Sequence, residues 1–382
     1  MVIVAVQRIA ADEVRHQQWA DQAGERARKA RQQRLKQLEA REDAIRTGLE
    51  LLIGEHHRGT QASDVVLRAG LYRHEGVDVT ERAVDPALSP LRQRDNPGLL
   101  QAACAAAKDG RPPLSRLINR RGAASHLHVA ALGVANFRAT AGRRPDLADL
   151  TNTGKHSWAV ILGDPARSEQ SRRHVTDGLG RLRDEGLIGL KGLHGRAQQR
   201  FADWELWDED GSRERYTVPR AGRWISADFW LRGWATVLTG PEIATFLMLS
   251  HLAAQYGAAH VTTGIFAAPS RREQLFGITK GVYACANELE EFGLLERTTP
   301  RQPGRMPAGE KREVDRWRLP KEALKHDAYD TVTEVLRARR TPARMARYDP
   351  LNGLEDFFGV GSPLAAAAGT TLNAPVQTAP VQ

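Results

Sequence analysis

The chain has 382 residues, 41% of them hydrophobic, enough for two or three cores of ordinary domain size, and this excludes a wholly disordered chain. Its net charge of +9 suits a polyanionic partner, either nucleic acid or an anionic membrane face. Cys104 and Cys285 are the two cysteines, which excludes a disulfide framework and any cysteine-based zinc module.

Met1-Val-Ile-Val-Ala-Val is apolar but short and has no basic residue ahead of it, so it does not read as a signal peptide. No apolar run approaches the length of a membrane span. A cytoplasmic protein with no membrane partner and no cofactor is expected. Residues 1–58 read as a long basic helix. Leu35, Leu38, Ile45, Leu49 and Leu52 form a stripe at spacings of 3, 7, 4 and 3. Arg26, Arg28, Lys29, Arg31, Arg34 and Lys36 surround it. Two readings stand side by side: a basic coiled coil that forms a homodimer, or a helix whose Leu stripe packs on its own domain. Residues 59–112 read as a linker or a small helical segment that closes at the break Asp109-Gly-Arg-Pro-Pro.

Two globular units follow, at 113–220 and 221–328. Residues 329–358 then read as a basic helical extension. The last stretch, 359–382, has the composition of a disordered tail. The segment with Trp224, Trp230 and Trp234 is expected as a packed linker between the units.

The two units share a pattern. An offset of 107 residues superimposes Val175 on Val282, Leu182 on Leu289, Gly186 on Gly293 and Leu187 on Leu294. The apolar residues lie on one helix face, the glycine sits just past the helix end, and an aliphatic pair enters a strand. In the second unit, Thr239-Gly-Pro-Glu starts a first helix. Ser270 to Phe276 reads as a second, with Ser270 and Glu273 as a capping box. Gly277-Ile-Thr279 is the turn before the third. In the first unit the helix before the turn is less clear, with Trp158-Ala-Val-Ile-Leu in its place after a long helix over 114–139.

A helix that ends in glycine and feeds a short strand resembles the third helix and first wing strand of a winged helix. Tyr/Phe-Gly-Ile-Ser/Thr after an arginine-bearing helix resembles the bacterial helix-turn-helix. The fold class expected is mainly α with small β-wings: two winged-helix domains in tandem plus a long N-terminal helix. This architecture resembles plasmid replication initiators with two winged helices, which implies double-stranded DNA as partner and initiation as function. A transcription regulator or DNA-partition adaptor fits the same architecture, as does a protein-interaction scaffold that does not use DNA.

Such a fold places the N-terminal residues of the third helix at base edges. In the first unit these are Ser171, Arg172, Arg173 and Thr176; in the second they are Thr279, Lys280 and Tyr283. Arg271 and Arg272 on the preceding helix are expected at phosphates, and Arg196, Arg200, Arg305, Lys311 and Arg312 on the wings. His126-Leu-His128 matches a signature of single-strand nicking endonucleases. Its flanks read as a helix, however, on which residues two apart diverge by about 200°. No Tyr-x-x-x-Tyr pair follows, and there is no Gly-x-x-x-x-Gly-Lys-Ser/Thr loop. Neither an enzyme nor a metal site is expected.

Overall fold

In the computed structural model, which describes residues 24–74, 111–118, 123–152, 154–190, 204–298 and 315–338, the N-terminal segment is helical over 24–39 (α1) and over Glu42–Arg58 (α2). A turn at Ala40–Arg41 separates them. The Leu stripe is buried within the same chain: Leu35, Leu38, Ile45, Leu49 and Leu52 are all sealed from solvent. Self-packing of the stripe, the second of the two sequence readings, is what the structure has. Strand β1 (Asp64–Leu67) follows α2.

The long helix expected over 114–139 divides into α3 (Pro113–Ile118) and α4 (Ala124–Arg138). Helix α4 is apolar on every side, and it is buried on every side. Next come α5 (Trp158–Ile161), α6 (Glu169–Asp184) and the hairpin of β2 (Ile188–Leu190) with β3 (Trp204–Leu206). Helix α2 packs on α4 and α5, and α6 packs on α4 and α5. The packing of α2 on α5 is close enough to involve backbone. A methyl group on Gly48 would stand 2.2 Å from the Val160 carbonyl oxygen. At the other end of α2, Thr60 N donates to Phe137 O at 2.7 Å.

Strand β4 (Arg223–Ser226) pairs antiparallel with β1, so residues from both ends of the first half meet in one ladder. Asn136 holds this ladder to α4. Its Oδ1 accepts from Val66 N at 3.1 Å and its Nδ2 donates to the Tyr216 hydroxyl at 3.0 Å. Two short helices, α7 (Asp228–Leu231) and α8 (Trp234–Val237), carry the tryptophan-rich segment. Trp230 and Trp234 are fully buried, and the Trp230 indole donates to Val129 O at 2.8 Å. Trp224 stays 55% exposed, so the linker is packed at two of its three tryptophans.

The second half begins with α9 (Gly240–Tyr256), whose start is a full capping box. The Thr239 hydroxyl accepts from Glu242 N, and the Glu242 carboxylate accepts from Thr239 N. Then come α10 (Ala259–Thr262), α11 (Pro269–Phe276), α12 (Lys280–Tyr283) and α13 (Ala286–Glu291). Helix α11 begins at Pro269 after Ala268, not at a Ser270 cap. Proline at the first helical position supplies the fixed φ that starts a helix. Glu273 accepts instead from Lys280 N, at 3.3 Å across the turn.

Strands β5 (Glu296–Arg297) and β6 (Trp317–Arg318) form a hairpin, and Ile265 bridges to Trp317 on its other side. Helix α14 (Ala328–Ala338) follows, and the Tyr329 hydroxyl donates to Glu42 at 2.9 Å. By their contacts the residues up to Val335 group as one unit, in which α1 and α2 touch both halves. The whole is mostly helical with small two-stranded antiparallel sheets and a long N-terminal helical segment. The tail over 359–382 and most of the basic extension lie outside the described residues. Among the described residues no helix is long and apolar enough to cross a membrane.

Candidate nucleic-acid interface

The repeated pattern folds twice into the same helix end. Leu187 N donates to Leu182 O and Leu294 N to Leu289 O, both at 2.9 Å. Gly186 N donates to Arg183 O and Gly293 N to Glu290 O, both at 3.0 Å. Gly186 and Gly293 take φ of +72° and +75°, the left-handed conformation that closes a helix with these two bonds. In each half the next residues lead to the first strand of a hairpin.

In the first half the Ser168 side chain caps α6 by accepting from Ser171 N at 3.1 Å. Ser171 itself is buried, so it does not reach the surface where the sequence pattern put it. Arg172 and Arg173 are exposed and Thr176 is half-exposed, as a binding face requires. Both arginines pair with Glu169 one turn back, and the Arg172 hydrogen bond holds the Glu169 carboxyl below its ordinary range. A phosphate would have to compete with this carboxylate.

Three further basic side chains join this end of the half: Lys155, His156 and Arg167, all exposed. Gly154 N donates to Ala166 O at 2.8 Å, which ties the loop before α5 to the loop before α6. Sequence reasoning passed over these residues. Lys155 and His156 directly precede Ser157, which caps α5, and Arg167 precedes the Ser168 cap. A basic residue next to a serine cap was the available signal.

The turn between α5 and α6 is gripped from outside the repeat. Arg41 donates to Leu162 O at 2.5 Å and Gly163 O at 3.0 Å, and it pairs with Asp164 at 3.0 Å. The other Asp164 oxygen takes His174 Nδ1 of α6 at 2.6 Å.

In the second half, Gly277 at φ +64° makes the turn and buried Ile278 anchors it. The Thr279 hydroxyl accepts from Val282 N at 3.5 Å, so it serves as the cap of α12. Lys280 is exposed. Arg272 and Tyr283 have a different place from the one expected. Arg272 is 5% exposed, its Nε donates to Ile278 O at 3.2 Å, and its guanidinium stacks 3.9 Å from the centre of the Tyr283 ring. The Tyr283 hydroxyl accepts from the Trp317 indole at 2.9 Å, and burial pushes its pKa up to about 12. Arg297 in turn stacks on Trp317 at 4.3 Å. Cation–π stacking withdraws Arg272 from solvent, which a sequence pattern that places charge outside does not foresee. These four side chains fasten the hairpin to α11 and α12.

Beyond Lys280 the third helix of this half turns acidic. Glu288 and Glu291 pair with Arg31 of α1 at 2.8 and 3.3 Å, and Glu290 pairs with Arg297 at 3.2 Å. Arg196, Arg200, Arg305, Lys311 and Arg312 lie outside the described residues, as does the side chain of Arg271. His128 is buried in α4 and His126 is half-buried beside it, where His126 Nε2 donates to Leu238 O at 2.7 Å. Among the described residues no three His, Cys, Asp or Glu side chains group as metal ligands would. Comparison with known proteins finds no matching family, no matching curated protein and no matching solved structure.

Proposed function

We propose that the chain binds double-stranded DNA sequence-specifically through two winged-helix units in tandem, and that its role is replication initiation on a plasmid or mobile element. The observation that carries this reading is the element order of the second half. Helix α9 and the one-turn α10 are followed by the Ile265 bridge, α11, a Gly-Ile-Thr turn, α12 with α13, and the β5–β6 hairpin. That is the order of a winged helix, whose third helix enters the major groove. The first half repeats the third helix and the hairpin, with the same hydrogen bonds at the helix end. The basic end of the first half, Lys155, His156, Arg167, Arg172 and Arg173, supports it as the main phosphate surface. The acidic α13 supports a smaller contribution from the second half, centred on Lys280.

Selection of bound duplexes from a random or genomic library tests the reading, followed by affinity against salt on the enriched sequence. A specific site should bind orders of magnitude above random duplex, with log affinity falling steeply as log salt rises. Arg173→Ala with Lys280→Ala should weaken it about tenfold or more, since a side chain that reads a base edge is worth about 1–3 kcal/mol. No enrichment, or a flat salt response, would sink the reading. Direct repeats in the enriched genomic fragment favour an initiator, and a single palindrome favours a regulator.

A further inference from the structure

The N-terminal helices touch both halves at the elements the DNA reading assigns to recognition. At one end Arg34 holds Glu242 with two hydrogen bonds, at 2.6 and 2.8 Å, and donates to Val237 O at 3.3 Å. Glu242 is 2% exposed and also closes the cap of α9. One turn earlier, Arg31 holds Glu288 and Glu291 of α13. At the other end Arg41 holds the turn before α6 through two carbonyls and Asp164, and Asp164 passes the contact to His174 on α6. Between the ends, Leu35 and Leu38 are buried. The seven positions from Arg34 to Arg41 are about two helical turns, roughly 10 Å.

We infer that the segment Arg31–Arg41 is a two-ended brace that sets the separation of α6 and α13 and so restricts the protein to paired DNA half-sites at one spacing. The inference rests on the DNA reading for its second clause; the brace itself does not. Arginine suits the role because its planar fork fixes direction as well as distance, and each fork here meets at least two acceptors. Apolar packing by Leu35 and Leu38 is not directional. The arginines are therefore positioning residues. One base pair inserted between half-sites shifts the second by about 3.4 Å and a tenth of a turn, which a braced pair of helices cannot follow.

The test uses the full chain with Cys104 and Cys285 replaced by alanine. Spin labels go on Asp177→Cys of α6 and Asn287→Cys of α13, both exposed positions. The distance distribution between them should be narrow. In Arg31→Glu with Arg41→Gln it should broaden at least twofold, and adding Glu288→Arg should restore part of the narrowness. An unchanged width in a variant that still melts cooperatively overturns the brace. If the double variant does not fold, Arg41→Gln alone carries the same measurement, since Arg41 is 32% exposed and its removal releases the α6 end while Arg31 and Arg34 keep the other.

The second arm repeats the duplex selection with the unlabelled chain. The natural sequence should enrich half-sites at one spacing, and the double variant should accept spacers one or two base pairs longer or shorter. Broadened distances with an unchanged single spacing overturn the half-site clause. If neither protein enriches any sequence, the DNA reading falls and takes the half-site clause with it, while the distance measurement still decides the brace.

Discussion

His128 lies in α4 with no exposed surface, and neither ring nitrogen has a hydrogen-bond partner. Burial holds its pKa down at about 3. In the unfolded chain the ring ionises near 6.5, so below that pH the unfolded state binds a proton that the native state refuses. Its stability cost is absent above pH 6.5 and grows as pH falls towards 3, at about 1.4 kcal/mol per pH unit. Burial moves His126 and His251 the same way, His251 to about 4. Acid should therefore destabilise the protein well above the range in which carboxylates titrate. His128→Leu should remove about 2 kcal/mol of the loss between pH 7 and pH 5. Urea unfolding at the two pH values measures this, and equal losses in both proteins would refute it. The same residue shows how far the sequence could be read. Its helical setting and its divergence from His126 were legible from the flanks. Its complete burial was not, because a polar ring in an apolar run gives no sign of which neighbours will close over it.

The helix ends were the most legible elements. Gly186 and Gly293 followed by an aliphatic pair encode a local hydrogen-bond pattern, and both ends form as the residues dictate. Helix α5 was not legible as a helix, because four residues give no periodicity to read. It exists because Ser157 caps it, Arg41 holds its far end and α2 lies against it. The packing of α2 on α5 makes a clear contrast between two glycines. Gly48→Ala should cost well over 1 kcal/mol although alanine is the better helix former by about that amount, since the new methyl meets the Val160 carbonyl. Gly293→Ala has open space around the new methyl and should cost about 1–2 kcal/mol, from the left-handed backbone alone. Thermal or urea melting of the two variants decides it; a Gly48→Ala protein as stable as the natural one would mean that α2 does not rest on α5. At the candidate interface the pattern located Arg172, Arg173 and Lys280 at the surface. It misplaced Ser171 and Arg272, which are buried, and Tyr283, which is half-buried and held by Trp317, a partner far away in sequence.

The N-terminal segment belongs to the core that both halves share. Its composition, polar and basic, pointed outward, while its five-residue stripe pointed inward, and only the tertiary partners decide between them. Leu35, Leu38, Ile45, Leu49, Leu51 and Leu52 are all buried. At about 1.5–3 kcal/mol each, they supply on the order of 10 kcal/mol, as much as the net stability of a typical protein. A chain lacking residues 24–58 should therefore show no cooperative melting transition by circular dichroism. A sharp transition in that chain would show that the two halves fold without the segment.

The partners of this segment lie far along the chain: Glu242 is 208 positions from Arg34, and Glu288 is 257 positions from Arg31. A ribosome adding about 5–20 residues per second reaches Glu242 roughly 10–40 s after Arg34. For that interval the leucine stripe has emerged and the far-end acceptors do not yet exist. The brace that orders the finished molecule is thus, during synthesis, an apolar surface that waits for its later partners.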